Sequence, residues 1–144
     1  MNNLIEIKNL KKIFNLYNNE NLLIFDAGTG LRELAVNLKG REPVEANLFL
    51  THTHLDHVCG LPFFEPLFRP DTKLQIWAGH LPTELSIREV IDRLMMDPLW
   101  PVQLKDVKGR ITFHNFSAGE VPGIKSSVFL SQSGCEIPSY SKVQ

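Results

Sequence analysis

The sequence lacks several features that would assign a protein class at once. It has only two cysteines, Cys59 and Cys135, which lie far apart and form neither a disulfide framework nor a zinc-finger spacing. No apolar run approaches the roughly 18 residues of a membrane span. The N-terminus has no basic region followed by an apolar segment, as a secretory signal would. These absences predict a cytoplasmic protein with reduced thiols and no membrane partner.

An excess of charge of either sign is also missing. The 144 residues carry 15 Lys and Arg against 16 Asp and Glu, a formal net charge of −1. Without a surplus of basic residues, strong electrostatic binding to nucleic acid is not expected, which argues against a nucleic-acid partner. The hydrophobic content of 43% and charged content of 22% are close to the globular average. The length and composition therefore predict about one ordinary folded domain.

Hydrophobic patterning predicts strands that alternate with helices. Short apolar or alternating runs, typical of strands, occur at residues 22–25, 47–51, 73–78, 110–116 and 128–130. Helical spacing occurs at residues 31–38, at 61–68 with Pro66 interrupting or ending the helix, and at 87–95. Gly40 is expected to end the first helix, and Ser86 with Glu89 to cap the third. Residues 4–16 fit either a strand pair or a short helix. The alternation predicts the α/β class, with at least one mixed or parallel sheet.

The most informative segment is a cluster of histidines directly after one predicted strand. Three of the five histidines, His52, His54 and His57, lie within six residues, and Asp56 lies beside the last. Imidazole and carboxylate are the ligands that suit zinc and its first-row neighbours. On an extended strand end, residues i and i+2 face the same side, so His52 and His54 can converge on one cation. The pattern predicts a metal site.

A second cation could lie beside the first, because Asp56 and His57 follow where the chain begins to turn. Two cations about 3.5–4 Å apart polarise a substrate oxygen and lower the pKa of a bridging water. Asp56 could then bind the second ion and also orient the attacking water, which makes it the candidate catalytic residue. The alternative is that the three histidines are solvated loop residues, or that one of them caps the helix behind them.

The cluster carries a family resemblance. The segment Thr51-His52-Thr53-His54-Leu55-Asp56-His57, followed by Gly60-Leu61-Pro62, resembles the metallo-β-lactamase superfamily motif His-x-His-x-Asp-His. The run from Leu23 to Gly30 looks like the strand and Asp-x-Gly turn that precede this motif. From Leu22 to about Gly119, including Leu61-Pro62-Phe63-Phe64 and Arg93-Leu94-Met95, the chain is similar to a bacterial branch near ribonuclease Z and the cyclic-nucleotide phosphodiesterases.

The resemblance implies a fold, a cofactor and an activity. The fold would be an αββα sandwich with its metal site at one edge of the sheets. His52 and His54 would bind the first metal, Asp56 and His57 the second, and Asp26 would be a structural acceptor that steadies the ligand loops. The metals would be zinc, with manganese or iron as alternatives. The activity would be hydrolysis of a phosphodiester or other small-molecule substrate by a metal-bound hydroxide.

The sequence departs from the family pattern after the cluster. The superfamily uses a third histidine, a bridging aspartate and a closing histidine, and after His57 only His80 and His114 remain. His80 is expected to be a surface or capping residue, and His114 a solvent-facing or hydrogen-bonded residue of a strand. Residues 1–125 are therefore interpreted as a partial, incomplete metallo-β-lactamase-like domain, and 126–144 as a poorly matching tail. A truncated, non-catalytic remnant that binds metal, or associates with itself or with another protein, is the alternative function.

Two smaller signals favour structural roles. Gly28-Thr29-Gly30 before a helix could bind phosphate, but it lacks a complete dinucleotide or P-loop signature, so a tight turn is expected. Cys59 could be an extra soft ligand or a reactive thiol, but a small buried residue at a helix start is expected instead.

Overall fold

The computed structural model describes residues 16–18 and 21–117. The strands are β1 (Leu16–Asn18), β2 (Asn21–Phe25), β3 (Glu45–Leu50), β4 (Lys73–Ala78) and β5 (Arg110–Asn115). The α-helices are α1 (Gly30–Asn37), α2 (Leu55–Val58) and α3 (Ile87–Leu94), and short 3₁₀ helices span Leu61–Phe63, Glu65–Phe68 and Leu104–Asp106. The described part is thus a mixed α/β structure, as predicted.

The five strands form one sheet in the order β1-β2-β3-β4-β5. β1 and β2 pair antiparallel, with Asn18 opposite Asn21, whereas β2 to β5 are all parallel. Each parallel connection moves the chain one strand further in the same direction. Because such crossovers are right-handed, all of them place their helices on the same face of the sheet. The sheet therefore has a helix-covered face and an opposite face, called the outer face below.

The hydrophobic core lies between the helices and the inner face of the sheet. Ile24, Leu48 and Ile76 occupy the centre of three neighbouring strands and are fully buried. Leu31 of α1 and Ile91 of α3 belong to the same buried cluster. Fully burying a side chain of this size contributes about 1.5–3 kcal/mol, so this layer is the main source of stability for the described part.

The outer face carries a row of stacked rings across the four parallel strands. Phe25 stacks on Phe49 with ring centroids 5.6 Å apart, Phe49 on Trp77 at 5.8 Å, and Trp77 on His114 at 3.8 Å. These four residues are half-buried and lie outside the main core cluster. They occupy matching register positions, so the row follows from strand pairing. We call Phe25, Phe49, Trp77 and His114 the aromatic row.

Most predicted elements in the described residues are confirmed. The predicted strand at 73–78 has the observed bounds, and Ser86 and Glu89 form the expected capping box. The predicted helix after the histidine cluster is instead two 3₁₀ helices, each with a proline in its first turn. Proline lacks the N–H that a continuing α-helix needs, which explains the interruption around Pro66.

Several predictions fall outside the described residues. These are the element at 4–15, the strand at 128–130 and the domain boundary near residue 125. Within residues 16–18 and 21–117, no helix combines the length and the apolar character that crossing a membrane would require.

Candidate metal centre

The histidine cluster lies at the edge of the sheet where the parallel strands end. Asp26 follows β2, His52 follows β3 by two residues, and His80 follows β4 by two residues. Because β2, β3 and β4 are parallel, the residues that follow them leave the sheet at the same carboxyl edge. The edge therefore gathers residues from three segments that are distant in the sequence.

Asp26 is the central hydrogen-bond acceptor of this edge. It is 6% exposed and has a positive φ of 61°, which aspartate tolerates better than most residues. Its Oδ1 accepts the backbone N–H of Thr51 at 2.8 Å, and the Thr51 hydroxyl lies 2.9 Å from both carboxylate oxygens. Its Oδ2 lies 2.9 Å from Nδ1 of His57. These contacts agree with the expectation that Asp26 steadies the ligand loop.

The contact with Asp26 sets the orientation of the His57 ring. A carboxylate only accepts, so Nδ1 of His57 carries the proton and donates it to Asp26. In the neutral ring, Nε2 is then left with its lone pair available to a metal ion. That Nε2 lies 3.4 Å from Oδ2 of Asp56, whose side chain is 79% exposed. His57 thus has the carboxylate partner that metal-bound histidines characteristically have.

The three imidazoles of the cluster are packed closely together. The centroid of the His52 ring lies 4.5 Å from that of His54 and 3.9 Å from that of His57. Partial burial lowers the pKa of His52, and the neighbouring charges of His57 and His54 lower it further. A lowered pKa keeps imidazole neutral, which is the form that binds metals.

Two glycines allow the ligand loop to approach the turn after β2. A Cβ on Gly60 would lie 1.9 Å from the carbonyl oxygen of Gly28, and one on Gly28 would lie 2.6 Å from the carbonyl oxygen of Asp56. The backbone of Ala27 accepts from Gly60 and donates to His57 in this contact. Gly28 is therefore needed for close backbone packing, in agreement with the tight turn predicted from the sequence.

The donor set fits a transition metal in its chemistry. Zinc–nitrogen bonds of about 2.0–2.1 Å place two imidazole centroids roughly 5 Å apart, close to the separation of His52 and His54. In the described residues, however, no three His, Cys, Asp or Glu side chains converge into a group that could hold an ion. Binding would require side-chain rotation within the cluster.

The other two histidines have different surroundings. His114 stacks on Trp77, and its Nε2 lies 3.1 Å from Oε1 of Gln75, as expected for a hydrogen-bonded strand residue. Burial lowers its pKa. His80 is exposed, as predicted, but its Nε2 lies 3.2 Å from the hydroxyl of Thr53, between two candidate ligands. Partial burial lowers the pKa of His80, and the charge of His52 adds to this effect.

The remaining candidate near the cluster is Cys59. It caps the C-terminus of α2 with its backbone N–H, which donates to the carbonyl of Leu55. The residue is half-buried rather than buried, and it stands at the end of a helix rather than at its start. The prediction of a buried residue at a helix start was therefore wrong in both respects, because helix α2 begins within the cluster, at Leu55, and ends just before Cys59.

Comparisons with protein-family models, with curated proteins and with solved structures found no match for this chain. The class that the structure itself defines is a mixed α/β protein, with four parallel strands and a histidine-rich loop at their carboxyl edge.

Proposed function

We propose that this chain is a metal-dependent hydrolase of the metallo-β-lactamase superfamily that acts on phosphodiesters. The observation that carries the proposal is the contact between Asp26 and Nδ1 of His57, with the rings of His52 and His54 close by. A buried carboxylate that fixes the tautomer of a histidine at this edge suits metal ligation. The resemblance of the segment Thr51–His57 to the superfamily motif supports the same conclusion.

The proposed ligands divide into two pairs. His52 and His54 hold the first metal, and Asp56 and His57 hold the second, with zinc as the expected metal and manganese or iron as alternatives. Bound zinc supplies a Lewis acid and lowers the pKa of water. The carboxylate of Asp56 is 79% exposed, so beside the second metal it would also accept a proton from an attacking water and orient that water. Asp26 does not touch the substrate but holds His57 and Thr51 in place.

The proposed substrate and location follow from charge and composition. A near-neutral chain favours a small phosphodiester over a nucleic acid, since no surplus of basic residues is present to bind a polyanion. A cytoplasmic location is proposed because the two cysteines lack the pattern of a secreted disulfide framework.

Metal analysis tests the proposal most directly. The purified chain is expected to retain at least about one zinc per chain at neutral pH after dialysis, because two imidazoles form the core of the first site. His54→Gln should remove most of this metal. His114→Gln is the matched control, since His114 lies on the outer face, and it should retain the metal. A wild-type chain without tightly bound transition metal would contradict the proposal.

A turnover assay tests the hydrolase activity separately. Bis(p-nitrophenyl) phosphate should be hydrolysed when zinc or manganese is added. Asp56→Asn should lower kcat by about 100-fold or more, because general-base assistance contributes about 10²–10⁴-fold. Metal binding without measurable turnover would support a metal-binding remnant instead of an enzyme.

The outer face favours one second candidate, a module that associates with a second copy of itself. Parallel sheets are normally covered on both faces, and in the described residues the helices cover only one. The aromatic row is a single stripe, so a two-fold axis would stack it on its own copy. Light scattering should report a dimer that Trp77→Lys dissociates, whereas Val36→Lys, at an exposed position of helix α1 on the other side of the sheet, should not. A monomeric wild-type chain with phosphodiesterase activity would end this alternative.

A further inference from the structure

His80 is placed beside the ligand loop by the strand register. Leu50 is paired with Ala78 at the end of the contact between β3 and β4. Because the two strands are parallel, the residues two positions further, His52 and His80, leave the sheet side by side. The sequence gives no sign of this, since 28 positions separate the two histidines and only strand pairing brings them together.

The contact of His80 is with the residue between the first two candidate ligands. Its Nε2 lies 3.2 Å from the hydroxyl of Thr53, which His52 precedes and His54 follows. Thr53 lies outside both helix and strand, so no ladder hydrogen bond fixes this part of the loop. The contact therefore connects the end of β4 to Thr53, the residue whose position affects the distance between His52 and His54.

The backbone that carries His80 is itself held firmly. A Cβ on Gly79 would lie 2.3 Å from the ring of Phe116, so that ring packs directly on the backbone before His80. The N–H of Phe116 donates to the carbonyl of Ala78 at 3.0 Å, which extends the pairing of β4 and β5 to this point. His80 thus projects from a supported strand end rather than from a free loop.

We propose that His80 is a positioning residue that holds Thr53 and thereby the separation of His52 and His54. The inference rests on the proposed function, since the spacing matters only if these two histidines bind metal. Residues that orient ligands from behind change metal affinity without touching the metal. Binding sites are also more precise when the residues that support them belong to rigid elements, and His80 lies two residues after such an element, β4.

The experiment compares zinc affinity in full-length variants, measured by competition with a chromophoric chelator. His80→Ala and Thr53→Val should each weaken zinc binding about 10- to 100-fold, the usual effect of removing a supporting partner. Thr53→Ser keeps the hydroxyl and should bind as the wild type does. The double variant should be no weaker than either single one, because both changes remove the same contact. His114→Ala is the control away from the site.

Cobalt substitution separates positioning from direct ligation. If His80 acts through Thr53, the visible cobalt spectra of His80→Ala and Thr53→Val should match each other, and His80→Gln should restore affinity by supplying an amide at a similar distance. If the spectrum indicates that the coordination of cobalt changes only in His80→Ala, then His80 is a ligand and the inference is overturned. Unchanged zinc affinity in His80→Ala would also overturn it. A wild-type chain that binds no zinc would overturn both this inference and the proposed function. A wild-type chain that binds zinc, with unchanged affinity in His80→Ala, would overturn this inference alone.

Discussion

The two edges of the parallel sheet use their charged residues in opposite ways. At the edge where the strands begin, Lys73 pairs with Glu45, and Arg69 pairs with Glu42 and Asp71. At the edge where they end, one buried carboxylate, Asp26, supports a loop that carries three closely packed imidazoles. The first edge forms salt bridges between opposite charges at the surface. The second brings together three imidazoles that gain little from one another.

The difference between the two edges supports the metal site proposed at the carboxyl edge. Surface ion pairs are typically worth only about 0–1 kcal/mol and mainly keep charges solvated and balanced. Adjacent imidazoles repel one another when protonated, so packing three of them together does not stabilise the fold. A cation between them would turn this cost into a favourable interaction. The comparison therefore supports the carboxyl edge as the functional edge.

The largest expected effect comes from filling the close backbone contact at the carboxyl edge. Gly60→Ala places a methyl group 1.9 Å from the carbonyl oxygen of Gly28, and neither backbone can move without shifting the ligand loop. We expect a loss of about 3 kcal/mol in the free energy of unfolding, measured by urea denaturation. Gly40→Ala is the control: its φ of +79° is strained for alanine, but nothing lies within 4 Å, so about 1 kcal/mol is expected. Equal losses in the two variants would contradict the packing argument.

The next effect compares one carboxylate from each edge. Asp26→Ala removes the acceptor of the Thr51 backbone N–H and of the His57 ring. Leaving such donors unsatisfied costs about 2 kcal/mol. Glu45→Ala removes only an exposed partner of Lys73 and should cost less than about 1 kcal/mol. Thermal unfolding of both variants measures the contrast. If Glu45→Ala were as unstable as Asp26→Ala, the claim that the carboxylates of the two edges differ in their contribution to stability would be contradicted.

A smaller effect concerns Glu89, whose carboxylate accepts hydrogen bonds from Ser86 in the first turn of α3. Hydrogen bonds from the backbone N–H and hydroxyl of Ser86 lower the pKa of Glu89. A lowered folded-state pKa stabilises the protein above the unfolded pKa, and this contribution is lost as pH falls through the folded value. Ser86→Ala should cost about 1 kcal/mol at neutral pH, because the cap to Glu89 is lost.

The pH dependence gives a second measurement of the same variant. Below the folded pKa of Glu89 the carboxyl is protonated in both states, so the difference between wild type and Ser86→Ala should narrow when unfolding is followed from about pH 7 down to about pH 3. Only the hydroxyl contact is lost in Ser86→Ala, because the backbone N–H at this position still donates to Glu89. A gap that stays constant over this range would therefore show that the Ser86 hydroxyl does not contribute to the lowered pKa of Glu89.

Much of the described fold could be predicted from local signals. The capping box at Ser86 and Glu89 and the alternation in 73–78 predicted the bounds of α3 and β4 closely, because both depend on residues near in sequence. The shape of the segment after the cluster was harder to predict, since the helical spacing of Leu61, Phe64 and Phe68 is overridden by prolines that leave only 3₁₀ turns.

The candidate site divides in the same way. The sequence by itself determined that His52, His54, Asp56 and His57 lie together, because they are neighbours in the chain. Only the tertiary structure decided that Asp26 binds the ring of His57, that His80 reaches Thr53, and that His114 belongs to the outer face instead. The physical reason is register: pairing of parallel strands aligns the ends of segments whose separation in sequence carries no spatial information.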